Sequence, residues 1–228
     1  NTGLNTPRQR AAWLLLALAA LTVLLTALGA SVGSTGFDSV LRLADDPMAA
    51  RIVWDIRLPR SLGAWLAGAL LGLSGAVAQG LFRNPLAEPF LLGSASGASL
   101  GVAAALALFG AAPATAWLAK LGLTGAAFVG AVVAVLLTLQ LARGVQHTLR
   151  LLLAGVIVGV VLGAIKDLIT LASPDIIAAM QGFNLGSAGF IGWASCVLML
   201  LAWCVCMAGA WVFSRALDGL SLGEATAA

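Results

Sequence analysis

The chain has 228 residues, of which 61% are hydrophobic and only 9% charged, and its mean hydropathy is +1.04. A soluble domain of this length needs a polar coat that this composition cannot supply, so water is excluded as the main solvent. The formal charge of +3 comes from Lys and Arg at the ends of apolar runs; with no basic stripe and no interleaved aromatics, a nucleic-acid partner is excluded and membrane lipid is the expected one.

The first apolar run, residues 11–30, follows Pro7, Arg8 and Arg10. Such flanks also suit a signal peptide, but about twenty residues cross a ~30 Å hydrocarbon core, whereas a signal's apolar region has roughly 7–15. The run is expected to span. Residues 31–60 carry Asp38, Asp45, Asp46 and Asp55 among four arginines, and are expected to form a solvated loop with at most a short interfacial helix. Five further apolar runs, 61–82, 90–112, 121–142, 151–172 and 190–213, bring the expected crossings to six. These runs are about twice the length of a membrane β-strand, which argues against a barrel. All seven prolines, Pro7, Pro47, Pro59, Pro85, Pro89, Pro113 and Pro174, fall at or outside run ends, where a missing backbone N–H does least harm. Between the fifth and sixth runs, Pro174 to Met180 reads as a short surface helix.

With the amino terminus inside, the inner segments hold Arg8, Arg10, Arg83, Arg143, Arg150 and Arg215, and the outer ones Arg42, Arg51, Arg57, Arg60 and Lys120. Six against five is nearly a tie, tipped inward by the first-span flank and the 143–150 loop. Within the runs, Gly93, Gly97 and Gly101 recur every four residues, as do Gly155, Gly159 and Gly163. Each set lines one helix face and permits close backbone contact with a neighbour, whether as a specific G-x-x-x-G crossing or as generic packing.

The most informative stretch runs from Arg57 to Ala98. It reads Arg57-Leu58-Pro59-Arg60, then a small-residue helix ending Ser74-Gly75-Ala76-Val77-Ala78-Gln79, then Arg83-Asn84-Pro85-Leu86-Ala87-Glu88-Pro89, then Leu91-Leu92-Gly93 through Gly97-Ala98. Asn84-Pro85 imposes an extended residue before the proline, and Pro89 keeps the turn from becoming one continuous helix. In order and spacing, this stretch resembles the permease family of type II ABC importers for iron–siderophore complexes, haem and cobalamin. Arg150 to Gly155 and Leu220 to Glu224 extend the resemblance over nearly the whole chain.

The resemblance implies an all-α, polytopic transmembrane bundle in the inner (cytoplasmic) membrane, with the amino terminus in the cytoplasm and residues 1–228 forming one permease domain. It implies about ten spans, so about six here leave four missing and the chain is expected to be a piece that cannot transport alone. It also implies a second permease copy or fused half, a periplasmic or surface substrate-binding protein, and separate ATPase subunits. The chain has no G-x-x-x-x-G-K-[ST] phosphate loop of its own, so it is expected not to be an enzyme, and no cofactor is expected. By the same resemblance, residues 216–228 begin an ATPase-coupling segment with Leu220, Leu222, Gly223 and Glu224 as its contacts. Gln79 and Thr148 are carried over as pathway candidates, while Leu149 departs from the small hydroxyl residues of the family's gate.

Lys166 and Asp167 lie inside the fifth run, where an unpaired charge costs about 3 kcal/mol or more. Either they snorkel to the outer interface, or Lys166 faces the pathway and attracts an anionic group of the cargo. Gly93-Ser94-Ala95-Ser96-Gly97 fits the G-x-S-x-G pattern of serine hydrolases, but the only histidine, His147, lies in a loop, and a serine nucleophile needs a base within reach. No metal-ligating set is present: Cys196, Cys204 and Cys206 sit in one apolar run as small hydrophobes, and the latter two point to different sides of a helix. A secondary transporter is the alternative, for which Asp167 is the one intramembrane carboxylate.

Overall fold

The computed structural model describes residues 7–31, 47–110, 117–143, 148–189 and 191–214, and among these there are helices and turns and no strand. In chain order the helices are α1 (Pro7–Ser31), α2 (Pro47–Ile52), a π-helical turn (Val53–Arg57), α3 (Leu58–Phe82), α4 (Ser94–Phe109), α5 (Trp117–Leu141), α6 (Thr148–Ala172), a 3₁₀ turn (Pro174–Ile176), α7 (Ile177–Leu185) and α8 (Trp193–Val212). Among the described residues, five helical stretches are long and apolar enough to cross a membrane: Gln9–Ser31, Pro47–Phe82, Gly122–Leu141, Leu149–Ala172 and Trp193–Val212. Pro7 and Pro47 open their helices, the position where proline loses no helical hydrogen bond.

Two expectations change. Residues 47–60 are not loop: α2 runs through the π-helical turn directly into α3, giving 36 continuous helical residues. Arg57 to Arg60 therefore lies within this stretch and does not start it. The physical reason is the π turn, in which the Leu58 N–H bonds to the Val53 carbonyl, five residues back, so that a proline follows without breaking the helix. The third apolar run also behaves differently from its length. Its helix, α4, has 16 residues, about 24 Å at 1.5 Å per residue, because Phe90 to Gly93 are turns.

The chain divides into two compact units, residues 1–71 with 188–208, and residues 72–187 with 209–228. In the first unit α1 is mostly exposed from Gln9 onward and meets α3 through side chains. The Trp65 indole N–H donates to the Thr22 hydroxyl at 3.1 Å, and that hydroxyl donates to the Leu18 carbonyl at 2.8 Å. Gly29 faces Ser61 at the same contact. The second unit has its core at α4, where Val102, Ala103 and Leu106 pack on Ile176 and Met180. The 3₁₀ turn and α7 thus form a two-part connector, longer than the Pro174 to Met180 helix expected, seated on α4 by Ile176 and Met180.

Candidate functional site

The second unit is organised by the end of α3 and the broken entry to α4. After Phe82 the backbone turns left-handed at Arg83, φ 49°. The Asn84 N–H then bonds to the Gln79 carbonyl at 3.2 Å and the Arg83 N–H to the Gly80 carbonyl at 3.4 Å. This is a Schellman helix end with arginine where glycine is usual. The Asn84 carboxamide oxygen accepts from the Leu86 N–H at 2.9 Å, and the Asn84 carbonyl accepts from the Ala87 N–H at 3.0 Å. Asn84 accordingly holds both sides of the Pro85 turn by its own side chain and backbone. Pro89 follows, and the Leu91 N–H bonds to Glu88 and the Gly93 N–H to Phe90.

Non-helical backbone at membrane depth is tolerated only where protein surrounds it and satisfies its polar groups. In residues 90–93, Gly93 is buried, Leu91 and Leu92 are half-buried and Phe90 is exposed, and neighbouring helices engage part of this backbone. Thr138 of α5, with no exposed surface, donates its hydroxyl to the Leu92 carbonyl at 3.0 Å. Gly93 takes φ 76°, and a Cβ there would be 3.3–3.4 Å from Gly159 and Gly155 of α6. Gly155 in turn leaves space for the Leu91 carbonyl, which a Cβ would strike. Alternation of small residues then continues up α4 on its other neighbour: Gly97 packs on Gly130, and Gly101 on Ala126, both of α5. The hydrogen of each glycine standing where Cβ would be points at the partner's carbonyl, the arrangement of Cα–H···O contacts between helices. One glycine stripe on α4 therefore serves two helices.

The structure brings Asn84, Pro85, Pro89, Gly93, Gly97 and Gly101 into this single construction. Gln79 contributes its carbonyl, while its side chain is exposed. Gly75 has no atom near the position of a Cβ. Thr148 is the first residue of α6. Lys166 and Asp167 lie elsewhere on α6, paired with each other; the Lys166 side chain is 21% exposed and that of Asp167 73%. Neighbouring charges of opposite sign present little net field, which weakens Lys166 as an anion receptor. Leu220, Leu222, Gly223 and Glu224 lie outside the described residues, as does His147. Ser96 is inside α4, facing Gly159 and Gly163, rather than on the strand-to-helix elbow that G-x-S-x-G chemistry uses. Among the described residues no group of His, Cys, Asp or Glu is arranged to hold a metal.

The first unit collects the remaining motif residues. Pro59 has no N–H, so in the π register it leaves the Trp54 carbonyl without a helical donor. The Trp193 indole N–H supplies one at 3.1 Å, and the two rings pack at 5.3 Å with their planes 40° apart. The Pro59 carbonyl accepts from the Cys196 thiol at 3.1 Å, and Arg57 donates to the Ser31 carbonyl at 3.3 Å. Arg60 is exposed. Sequence reasoning misses Thr138, Trp193 and Cys196 as site residues; the signal for Thr138 is a hydroxyl deep in an apolar run.

Fold and site together define a polytopic helical membrane protein whose helices approach to backbone contact around the non-helical entry to α4. Residues 3–228 match the FecCD transport family, and the chain belongs to that family. It is 38% identical over 228 residues to the vitamin B12 import system permease protein BtuC of Shigella boydii serotype 18, covering 96% of this chain and 65% of that protein. The BtuC protein of Escherichia coli O1:K1 / APEC is 40% identical over 187 residues, 79% of this chain and 54% of that protein. Among solved structures, a metal-chelate type ABC transporter in an inward-facing conformation superposes with a TM-score of 0.79 at 25% identity, covering 93% of this chain and 66% of that one. The chain thus spans a little over half to about two thirds of the length of these relatives.

Proposed function

We propose that this chain is the membrane-spanning permease part of an ATP-driven importer, moving a metal chelate across the inner membrane by alternating access, with its amino terminus in the cytoplasm. The observation that carries the reading is the family match over residues 3–228, together with the Pro-bracketed turn into α4 that its most specific motif builds. Cobalamin is the cargo named for the BtuC relatives, and a siderophore complex or haem has the same chelate character. The partners in this reading are ATPase subunits docking near Leu220, Leu222, Gly223 and Glu224, a second permease copy or fused half, and a substrate-binding protein outside. Gln79, Thr148, Lys166 and Asp167 remain the pathway candidates. The chain contributes a pathway and a lever, and hydrolysis belongs to the partner.

A secondary transporter typically uses intramembrane carboxylates or broken helices to hold a coupling ion. Here Asp167, the carboxylate within α6, is paired with Lys166, which disfavours that use. The test is uptake of labelled cobalamin and of a labelled ferric siderophore into vesicles carrying the protein with its ATPase and binding protein. Uptake of either that needs internal ATP and survives an uncoupler supports the proposal. Uptake that fails with the uncoupler and ignores ATP refutes it.

A further inference from the structure

Between α5 and α6 lies an apolar groove of about 430 Å³, bordered by Leu137, Gln140, Leu141, Ile157, Val161 and Leu162. We propose that it is a binding site for one anionic phospholipid, with an acyl chain along the aliphatic walls and the phosphate held by Arg143 and Arg150.

Three observations point to this occupant. The first is polarity along the groove. Gln140 is its only side chain with hydrogen-bonding atoms, and it sits in the last turn of α5. The Arg143 N–H bonds to the Gln140 carbonyl at 3.2 Å, so Arg143 follows on the next turn. On α6, Arg150 precedes Ile157 by seven residues and Val161 by eleven, spacings that place all three on one helix face. Four residues separate the described end at Arg143 from Thr148, which keeps both arginines at one end of the helix pair. Both are exposed.

The second observation is charge. From Gly110 to Lys166 the chain contains no Asp or Glu, so no nearby carboxylate in that stretch competes for the two guanidinium groups. Arginine at a membrane surface attracts anionic headgroups, and basic pockets between spans suit them. The third is size. The groove falls in the range of small-ligand sites, ~300–1,000 Å³. The groove is large enough for one hydrocarbon chain.

The test uses the whole protein in phosphatidylcholine nanodiscs doped with a phosphatidylglycerol bearing a photoreactive diazirine on its acyl chain. Photolysis is expected to leave adducts on residues 137–141 and 157–162, competed at least fivefold better by unlabelled phosphatidylglycerol than by phosphatidylcholine. Replacing Arg143→Gln and Arg150→Gln together lowers labelling at least fivefold. Val161→Phe, which fills the groove without touching the charges, lowers it as well and serves should the arginine variant not fold. Equal competition by the two lipids, or adducts spread outside the groove, overturns the proposal as ordinary boundary lipid. A photoreactive phenylalanine at position 161 that captures a protein segment overturns it in favour of a helix or second copy.

Discussion

The two units hold their helices together by opposite means. In the first, contacts are made by long side chains reaching across: Trp65 to Thr22, Arg57 to the Ser31 carbonyl, Trp193 to the Trp54 carbonyl. In the second, beside the side-chain core on α4, glycines let backbones meet, Gly97 on Gly130 and Gly155 on Leu91. Lipid tails are as apolar as leucine, so neither unit gains from burying hydrocarbon as a soluble core does. What remains is close van der Waals contact and satisfied polar groups. A backbone contact has no slack, whereas a reaching side chain can adjust, and the two units should respond differently to the same size of change.

The largest effect is expected where an added atom meets backbone. Gly97→Ala should destabilise the detergent-solubilised protein by about 2–3 kcal/mol, the upper part of the range for overpacking, because its Cβ would strike Gly130. Gly159→Ala, whose Cβ would stand 3.7 Å from the Ser96 hydroxyl, should stay within about 0.5 kcal/mol. Equal unfolding midpoints for the two variants would break the comparison.

Next comes the bond to the non-helical entry of α4. Thr138→Val removes the donor to the partly buried Leu92 carbonyl and should lose about 1–2 kcal/mol, while Thr138→Ser should recover most of it. Chemical unfolding of the three proteins side by side decides this, and an unaffected valine variant would show that the carbonyl needs no partner.

In the first unit the corresponding change is milder. Trp193→Phe keeps a smaller ring against Trp54 and removes the N–H donor; the lost bond is expected to cost about 0.6 kcal/mol, the mean for such bonds between membrane helices. A loss as large as that of Gly97→Ala would erase the distinction between the units. The smallest change is a gain. Arg83→Gly relieves a left-handed arginine, and the roughly 1–2 kcal/mol of backbone strain, offset by the added freedom of glycine in the unfolded chain, should leave stability higher by about 0.5 kcal/mol. A melting curve shifted downward instead would mean that the Arg83 side chain contributes more than its backbone strain removes.

Much of this architecture is legible in the amino-acid sequence. Run length locates the long helices, because hydrocarbon thickness sets how many apolar residues a crossing needs. The Arg57 to Ala98 motif carries the family, and the Pro85 and Pro89 bracket places the turn, since proline restricts its own backbone and the residue before it. The continuity of residues 47–60 with α3 is not legible, because a π turn leaves no simple periodic mark. Nor is the length of α4: residues 90–93 are as apolar as a helix, and their turns depend on Gly155 and Thr138, which stand far away along the chain.

Composition and motif order by themselves determined that this chain belongs in a membrane, as helices, in a transport family, because each of those conclusions rests on local chemistry that a linear pattern records. Tertiary structure alone decided which small residues matter. Gly75 and Gly97 look alike in sequence, yet one faces open space and the other the backbone of Gly130. That difference lies in what stands opposite, and only the packed helices put anything there.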